Sequence, residues 1–287
     1  MILVTAAAGN VGKEVVRALL ARGAKVRAAD RVPERLHELF GDAVETVFLD
    51  FLDPTCFPRA VVGCDGMFLL RPPPISNVKA TLNALIDTAR AASISTIVFL
   101  SVAGAKNNRL VPHHAVEQKL LDGPMDWTIL RPGFFAQNFE DAYLRDIRED
   151  DRIFLPAKNG LVTFVDVRDL AEVAAAALLN PEKHRGQAYT LTGPEAVSFE
   201  DAANMLSAAI GRPIRYERAS LIGYARHLAQ RGLPRGQVIV QLILHAGLRF
   251  GQAAKINPTL ASLVKSPRRL ASYFHDRAAV FATTHAP

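Results

Sequence analysis

The first dozen residues constrain the fold of this chain more than any other stretch. Residues 1–5 are an apolar run of strand length, residues 6–12 are small and include Gly9 and Gly12, and apolar residues then recur at helical spacing up to Leu20. This pattern predicts a strand, a tight turn and a helix. The helix N-terminus presents unpaired N–H groups, and glycines let a pyrophosphate approach the backbone. The alternative, in which both glycines serve only the turn and its packing, stays open.

The end of the next predicted strand favours the phosphate interpretation. Residues 25–31 end in Asp30 and Arg31, about 20 positions after the glycine turn, where the adenosine ribose of a dinucleotide lies. A carboxylate there binds ribose hydroxyls and repels a 2′-phosphate, whereas an arginine pairs with that phosphate. The two residues therefore favour different cofactors, NADH and NADPH.

Strand and helix patterns continue to alternate through the first half of the chain. Strands are predicted at 43–49, 65–70, 96–101 and 126–131, and helices at 32–40, 78–92 and 111–121. This alternation predicts an α/β fold with a Rossmann-type, doubly wound parallel sheet and right-handed crossovers.

Candidate ligand residues follow two of these strands. Asp50 and Phe51 follow the third strand, where a carboxylate can accept the amino group of an adenine; the alternative, that Asp50 caps a helix beginning near Pro54, stays open. Leu70, Arg71 and three prolines follow at the fourth strand. Because prolines force a stiff, extended loop, this segment is expected to line the cofactor cleft.

The pattern changes from about residue 150. Short strands are predicted at 152–156, 161–165 and 187–192, with helices at 170–179 behind Asp169 as N-cap and at 199–210 behind Ser198. These elements predict a smaller, substrate-facing C-terminal α/β lobe at 151–287, which shares elements with the dinucleotide-binding domain at 1–150.

The last predicted segment, residues 216–287, contains several short helices. An apolar face is predicted on one of them, and it either covers the substrate cleft or packs against a second subunit. Its residues are Val238, Ile239, Leu242 and Ile243.

Composition excludes several classes of protein. The 34 Arg and Lys residues are mostly interleaved with the 28 acids, which argues against a nucleic-acid partner despite the net charge of +6. Cys56 and Cys64 form neither a disulfide framework nor a metal site pattern. The N-terminus lacks a basic leader, and no apolar run approaches the ~20 residues of a membrane span. We expect a soluble cytoplasmic protein that binds no membrane.

Taken together, several motifs resemble the NmrA-like group of atypical short-chain dehydrogenases/reductases over roughly residues 1–220. They are the turn at 4–12, Leu49-Asp50, the helix at 114–117, and the segments 128–138 and 164–169. The resemblance implies an NAD(P)-binding oxidoreductase, with Arg31 in the place of the family's phosphate-binding arginine and NADP(H) therefore favoured over NAD(H). The expected cofactor-binding residues are Thr5, Ala7, Gly9, Asn10, Val11, Gly12, Asp30, Arg31, Asp50, Phe51, Leu70, Arg71, Pro132, Gly133 and Phe134.

Two departures from the family pattern shape the functional expectation. Ala6 stands where the usual turn has its first glycine. The wider superfamily reduces carbonyls with a Tyr-x-x-x-Lys pair, but no tyrosine lies between Ser101 and Trp127. This segment carries His113 and His114 instead, and a proton-shuttling role for His114 is set against a merely structural one.

These departures favour acceptors that need little more than hydride. Quinones, azo dyes and triphenylmethane dyes, which relatives of this group reduce, fit that requirement. Phe134, Phe135 and Asn138 are the expected contacts of an aromatic acceptor; the alternative, that both rings are core residues, stays open. The alternative function is a redox-sensing regulator that binds the dinucleotide and a protein partner without turnover. A homodimer also stays open.

Overall fold

Seven of the strands form the parallel sheet that the alternating pattern predicts, in a computed structural model that describes residues 1–282. Along the chain the strands are β1 (Ile2–Thr5), β2 (Val26–Asp30), β3 (Glu45–Phe48), β4 (Gly66–Leu70), β5 (Thr96–Leu100), β6 (Asp126–Pro132), β7 (Phe134–Phe135), β8 (Arg152–Leu155), β9 (Leu161–Val162), β10 (Phe164–Val165), β11 (Gln187–Leu191), β12 (Val197–Ser198) and β13 (Arg215–Arg218). The sheet order is β11-β6-β5-β4-β1-β2-β3, and neighbouring strands are parallel throughout. The order reverses at β1, so the sheet is doubly wound and Rossmann-like.

The helices of the described residues lie between and after these strands along the chain. They are α1 (Asn10–Leu20), α2 (Pro33–Phe40), α3 (Phe57–Val61), α4 (Leu82–Ala91), α5 (Pro112–Leu121), α6 (Leu144–Asp150), α7 (Val167–Leu179), α8 (Pro181–His184), α9 (Phe199–Ile210), α10 (Leu221–Gln230), α11 (Arg235–Leu248), α12 (Thr259–Leu263), α13 (Leu270–Asp276) and α14 (Ala278–Phe281). Within the described part of the chain, none of the helices combines the length and apolar character that crossing a bilayer requires.

The chain divides into two units that are discontinuous in sequence. The first unit comprises residues 1–132 and 167–191, and the second comprises 133–166 and the chain from residue 192 onward. The sequence analysis places one boundary at residue 150 and expects the C-terminal segment to share elements with the first domain. The elements that belong to the first unit are α7, α8 and β11: β11 extends the sheet beside β6, α7 packs against α1, and α8 lies between them in the chain.

Each unit has its own apolar core. In the first unit, buried side chains of the sheet meet those of α3, α4 and α5. In the second unit the core is aromatic: Phe139 lies 4.9 Å from Phe274 and 5.2 Å from Phe164 between ring centroids, and Phe199 packs edge-on against Phe164. Such ring pairs add stability beyond their buried area.

The structure contradicts three of the predicted boundaries. The helix expected from residue 78 begins at Leu82, because Thr81 is not helical and its hydroxyl bonds the carbonyl oxygen of Asn77. Asp169 is not an N-cap; it is buried in the first turn of α7, which already begins at Val167. The segment 161–165 is split into β9 and β10, which pair with different strands.

The C-terminal segment also differs from expectation. Residues 215–218 form a strand, β13, which pairs with β8, before the helices begin. The four apolar residues predicted for one face of α11 lie on different sides: Val238 is buried, whereas Ile239 and Ile243 are exposed. The final predicted residues, 283–287, lie outside the described residues.

Candidate functional site

A pocket of about 410 Å³ lies in the first unit at the carboxyl ends of β1, β2 and β3. Its volume is that of an ordinary small-molecule site, and its position is the one where open α/β sheets bind ligands. The lining residues are Ala6, Ala8, Gly9, Asn10, Asp30, Arg31, Arg35, Leu49, Asp50, Phe51, Leu52, Pro72, Pro74 and Ile75.

The turn after β1 is tight, and its backbone geometry explains the spacing of its small residues. Ala6 has a φ of 48°, in the left-handed region that favours glycine, and its carbonyl oxygen accepts the N–H of Gly9 at 3.0 Å. A Cβ on Gly12 would lie 2.2 Å from that same oxygen, whereas one on Gly9 would lie 3.2 Å from it. Gly12 is therefore required for α1 to approach the turn, and Ala6 adopts the conformation that its side chain disfavours.

The N-terminus of α1 is open at this turn. Its N-cap, Gly9, has no side chain to cap the helix, and the first turn contains no acidic residue. The first intrahelical donor is Lys13, which bonds the carbonyl oxygen of Gly9, so the amides of Asn10, Val11 and Gly12 precede the helical hydrogen-bond ladder. Such a helix end offers donors and positive potential to an anion.

Asp30 and two arginines form the pocket wall beyond the turn. The Asp30 carboxylate accepts the N–H of Ala8 at 3.3 Å and that of Val32 at 3.4 Å. Arg31 and Arg35 are exposed, and residues 1–282 supply no hydrogen-bond acceptor or ion-pair partner to either guanidinium. Arg35 was not predicted as a site residue, although it stands in the first turn of the helix that follows Arg31, close to the carboxyl end of β2.

The residues after β3 contradict one of the two roles considered for Asp50, the role of cap for a helix beginning near Pro54. Asp50 lines the pocket, and its side chain accepts the N–H of Leu52 at 2.9 Å. The helical turn that begins at Pro54 is capped by Asp53, whose carboxylate accepts the N–H of Thr55 at 3.1 Å. Asp50 is therefore not the cap of that turn.

Other predicted cofactor residues form the frame behind the pocket rather than its lining. The Thr5 hydroxyl donates to the carbonyl oxygen of Phe68 at 3.0 Å and accepts the N–H of Leu70 at 3.2 Å, which ties β1 to β4. Ala7 and Val11 are buried.

The proline loop after β4 is organised by Arg71. Its guanidinium donates to the carbonyl oxygens of Pro72, Pro73 and Ile75, and its Nε donates to Nε2 of His113 at 3.3 Å. These contacts hold the loop whose Pro72, Pro74 and Ile75 line the pocket. Arg71 is thus engaged by its own loop.

The two histidines of α5 have different environments. His113 is buried, and burial followed by the charge of Arg71 lowers its pKa to about 4, so it is neutral. His114 is half-buried, and its Nδ1 lies 2.9 Å from the carbonyl oxygen of Ala105. Because a carbonyl oxygen only accepts, Nδ1 carries a proton and Nε2 has no partner among the described residues. His113 also has an unpartnered nitrogen, Nδ1, but that atom is buried, whereas His114 is half-buried.

Glu117 serves neither histidine as a hydrogen-bond partner. It is fully buried and forms a two-point ion pair with Arg131 of β6, at 3.0 Å and 2.7 Å, while the Ser101 hydroxyl donates to the same carboxylate. This cluster joins the end of β5, α5 and β6. Glu117 lies four residues after His113 on α5, which is the spacing between the two residues of a Tyr-x-x-x-Lys pair.

The predicted acceptor residues lie in the second unit. Phe134 pairs through β7 with β10, and its ring packs edge-on against Phe164 at 5.8 Å, so it is a core residue of this unit. Phe135 and Asn138 are half-buried. Gly133, where the second unit begins, is also half-buried, and Pro132 ends β6 in the first unit with its carbonyl oxygen bonded to the N–H of Ala103.

The chain has relatives over almost its whole length. A model of the NmrA-like family matches residues 1–270. The chain belongs to the NmrA-like family. It is 32% identical over 286 residues to the NAD(P)H azoreductase of Xenophilus azovorans, which covers 98% of this chain and 99% of the azoreductase.

Two solved structures show the same fold. The triphenylmethane reductase of Citrobacter sp. in complex with NADP(H) has a TM-score of 0.85 and 24% identity, and covers 97% of this chain and 100% of that one. The negative transcriptional regulator NmrA in complex with NAD has a TM-score of 0.76 and 15% identity, and covers 97% of this chain and 95% of that one. At these identities, both comparisons bear on the fold alone.

Proposed function

We propose that this protein is an NAD(P)H-dependent reductase that transfers hydride to an electrophilic aromatic acceptor of the quinone, azo-dye or triphenylmethane-dye type. The observation that carries the proposal is the pocket at the glycine turn, which combines an open helix N-terminus for a pyrophosphate with a carboxylate and arginines at the ribose position. The relation to an azoreductase over nearly the whole of both chains supports a reductase.

The residues of the pocket fit the adenosine half of a dinucleotide and its pyrophosphate. The amides at the start of α1 would hold the pyrophosphate, and Phe51 with the proline loop would enclose the adenine. Asp30 retains acceptor capacity for a ribose hydroxyl beyond the two backbone N–H groups it already binds. The unpaired guanidinium groups of Arg31 and Arg35 favour a 2′-phosphate, and we therefore propose a preference for NADPH over NADH.

When bound, the reduced nicotinamide supplies the hydride. The segment between Ser101 and Trp127 contains no tyrosine that could donate a proton. Any proton that the acceptor then needs must come from water or from a different side chain. We assign this role to His114, whose Nε2 can carry a proton while Nδ1 stays bonded to Ala105. Phe135 and Asn138 are proposed to contact the acceptor, and Phe134 to back that surface from the core.

The test measures oxidation of NADPH and of NADH in the presence of a panel of quinones, azo dyes and triphenylmethane dyes. The readout is the loss of reduced-nicotinamide absorbance. Turnover with at least one acceptor, faster at low cofactor concentration with NADPH, is expected. Binding of both nucleotides without consumption of either would reject the reductase and favour the redox-sensing alternative, for which the shared fold of the NAD-bound regulator NmrA is the supporting observation.

A further inference from the structure

The charge of the chain is distributed unevenly along the sequence. Between Glu217 and Asp276 there are nine Arg and Lys residues and no acid, whereas the rest of the chain has 25 basic and 28 acidic residues. Basic residues are therefore interleaved with acids outside this segment but not within it. We call residues 218–275 the basic segment; it lies entirely in the second unit.

Helix α11, in the middle of the basic segment, is apolar on both sides. No charged residue stands between Arg235 and Arg249. Val238 and Leu248 face the core of the second unit. The opposite face is exposed: Ile239 to 56%, Val240 to 63%, Ile243 to 69% and Leu244 to 44%. A helix that is apolar all round is normally buried, so this face indicates a partner.

The basic segment also contains exposed cations. Arg226 on α10, Arg235 at the first turn of α11, Lys255 and Lys265 are exposed, and the described residues offer none of them a hydrogen-bond acceptor or an ion-pair partner. Phe250, exposed to 80%, lies in the same stretch just after α11. The other basic residues of the segment are engaged: Arg231, for example, binds Asp146, Glu149 and Asp150.

The combination of apolar side chains with unpaired cations selects the kind of partner. A second copy of the chain would bring two sets of cations, and no acid of the basic segment, into one interface, because a two-fold interface uses the same patch on both copies. An anionic lipid surface matches both features, since its headgroups attract cations and its acyl boundary accepts Ile, Leu and Phe side chains. With 14 residues, α11 is about 21 Å long, which suits lying in the surface rather than crossing it.

We propose that the exposed face of α11, flanked by the cations of the basic segment, binds the surface of an anionic lipid bilayer. The proposal replaces the sequence-based expectation that the protein binds no membrane, and it is independent of the reductase function. The contact is peripheral and depends on salt, because the cations are solvent-exposed.

The experiment is co-sedimentation of the full chain with vesicles of phosphatidylcholine alone and of phosphatidylcholine mixed with phosphatidylglycerol. Binding to the mixed vesicles only, weakened by added salt, is expected. I243D should lower the affinity at least tenfold, whereas L110D, at an exposed leucine of the first unit, should leave it unchanged. R226Q and R235Q should each lower it about fivefold, and R59Q, at an exposed arginine of the first unit, should not.

Several outcomes would overturn the proposal. Equal binding to both kinds of vesicle, or binding to neither, removes the anionic surface as the partner. Equal losses for I243D and L110D, or for R235Q and R59Q, remove α11 as the binding face, and the arginine variants decide this even if I243D unfolds. A dimer in analytical ultracentrifugation that I243D converts to a monomer would mean that a second copy covers the face.

Discussion

Ala6 adopts a backbone conformation that alanine disfavours, at the centre of the predicted phosphate turn. A φ of 48° costs an L-residue about 1–2 kcal/mol relative to the right-handed region, and glycine avoids this cost. Glycine in turn loses about 0.5–1 kcal/mol more on folding through its freedom in the unfolded chain. We expect A6G to raise the free energy of unfolding in urea by up to about 1 kcal/mol.

The neighbouring position provides the control for this prediction. Ala8 lies in the same turn but is absent from the residues with positive φ, so A8G relieves no strain and should lower the stability by about 0.5–1 kcal/mol. If the two variants change the free energy of unfolding alike, Ala6 is not strained.

Arg31 and Arg35 should determine which nicotinamide cofactor is bound. Each unpaired guanidinium can form a charge-assisted hydrogen bond with a 2′-phosphate, worth about 1.5–3 kcal/mol. We expect R31A and R35A each to weaken NADPH binding by at least tenfold while NADH binding changes less than threefold, as measured by nucleotide fluorescence titration. Equal losses for the two nucleotides would assign the arginines to a part of the cofactor that both share.

His114 should matter for some acceptors and not for others. Reduction of a quinone needs a proton besides the hydride, whereas a cationic triphenylmethane dye becomes a neutral product by accepting hydride alone. We expect H114A to lower kcat with a quinone by roughly 10²-fold or more and to leave kcat with the cationic dye within about threefold. The comparison uses one variant as its own control. A loss of kcat of the same size with both acceptors would mean that His114 positions the cofactor or supports the fold.

At the scale of elements, the buried cluster of Ser101, Glu117 and Arg131 holds α5 to the ends of β5 and β6. Removing one member of a buried ion pair leaves an unpaired charge and costs about 3–5 kcal/mol, whereas replacing both members by apolar residues costs much less. We expect R131M to lower the free energy of unfolding by at least about 3 kcal/mol.

The double variant separates charge from packing in this cluster. If the cost of R131M comes from the unpaired carboxylate, E117M in the same chain should restore most of the lost stability. Additive losses in this double-mutant cycle would show instead that the two side chains contribute mainly by packing.

The elements that the sequence predicted well are those whose pattern is local. An apolar run followed by small residues and a helical period is enough to place β1 and α1. Two equally local signals bound α9: the N-cap Ser198 at its start and the left-handed Gly211 at its end. The errors arise where tertiary contacts decide. The extra turn at the start of α7 puts Asp169 inside the helix, and β9 and β10 are separated because each pairs with a different strand.

The site shows the same division between local and tertiary signals. Gly9, Asn10, Asp30, Arg31, Asp50 and Phe51 line the pocket, and that they bind the cofactor stays a prediction; positions at strand ends follow directly from the alternation of strands and helices. The sequence alone does not predict that Glu117 forms an ion pair with Arg131, or that Arg71 donates hydrogen bonds to its own loop. Both contacts depend on groups that folding brings together.

At the scale of the whole molecule, each unit contains a buried histidine that must stay neutral. His113 lies in the first unit and His245 in the second, and burial is the main cause that lowers the pKa of each from 6.5 to about 4. Two tyrosine hydroxyl groups contact the His245 ring. The hydroxyl of Tyr143 lies 2.6 Å from Nε2, and the hydroxyl of Tyr224 lies 3.1 Å from Nδ1. Neither hydroxyl carries a charge that would compensate an imidazolium.

These two histidines make stability depend on pH in a defined window. Their pKa values are lower in the folded state than in the unfolded state, so the unfolded chain binds more protons below about pH 6.5. Their contribution to stability is therefore complete above that pH and is lost as the pH falls toward 4, by roughly 3 kcal/mol each at most. H245N should reduce the slope of unfolding free energy against pH in this window, because asparagine does not titrate and carboxylates contribute equally to both chains. An unchanged slope, measured by urea unfolding from neutral to acidic pH, would mean that His245 is protonated without cost in the folded protein.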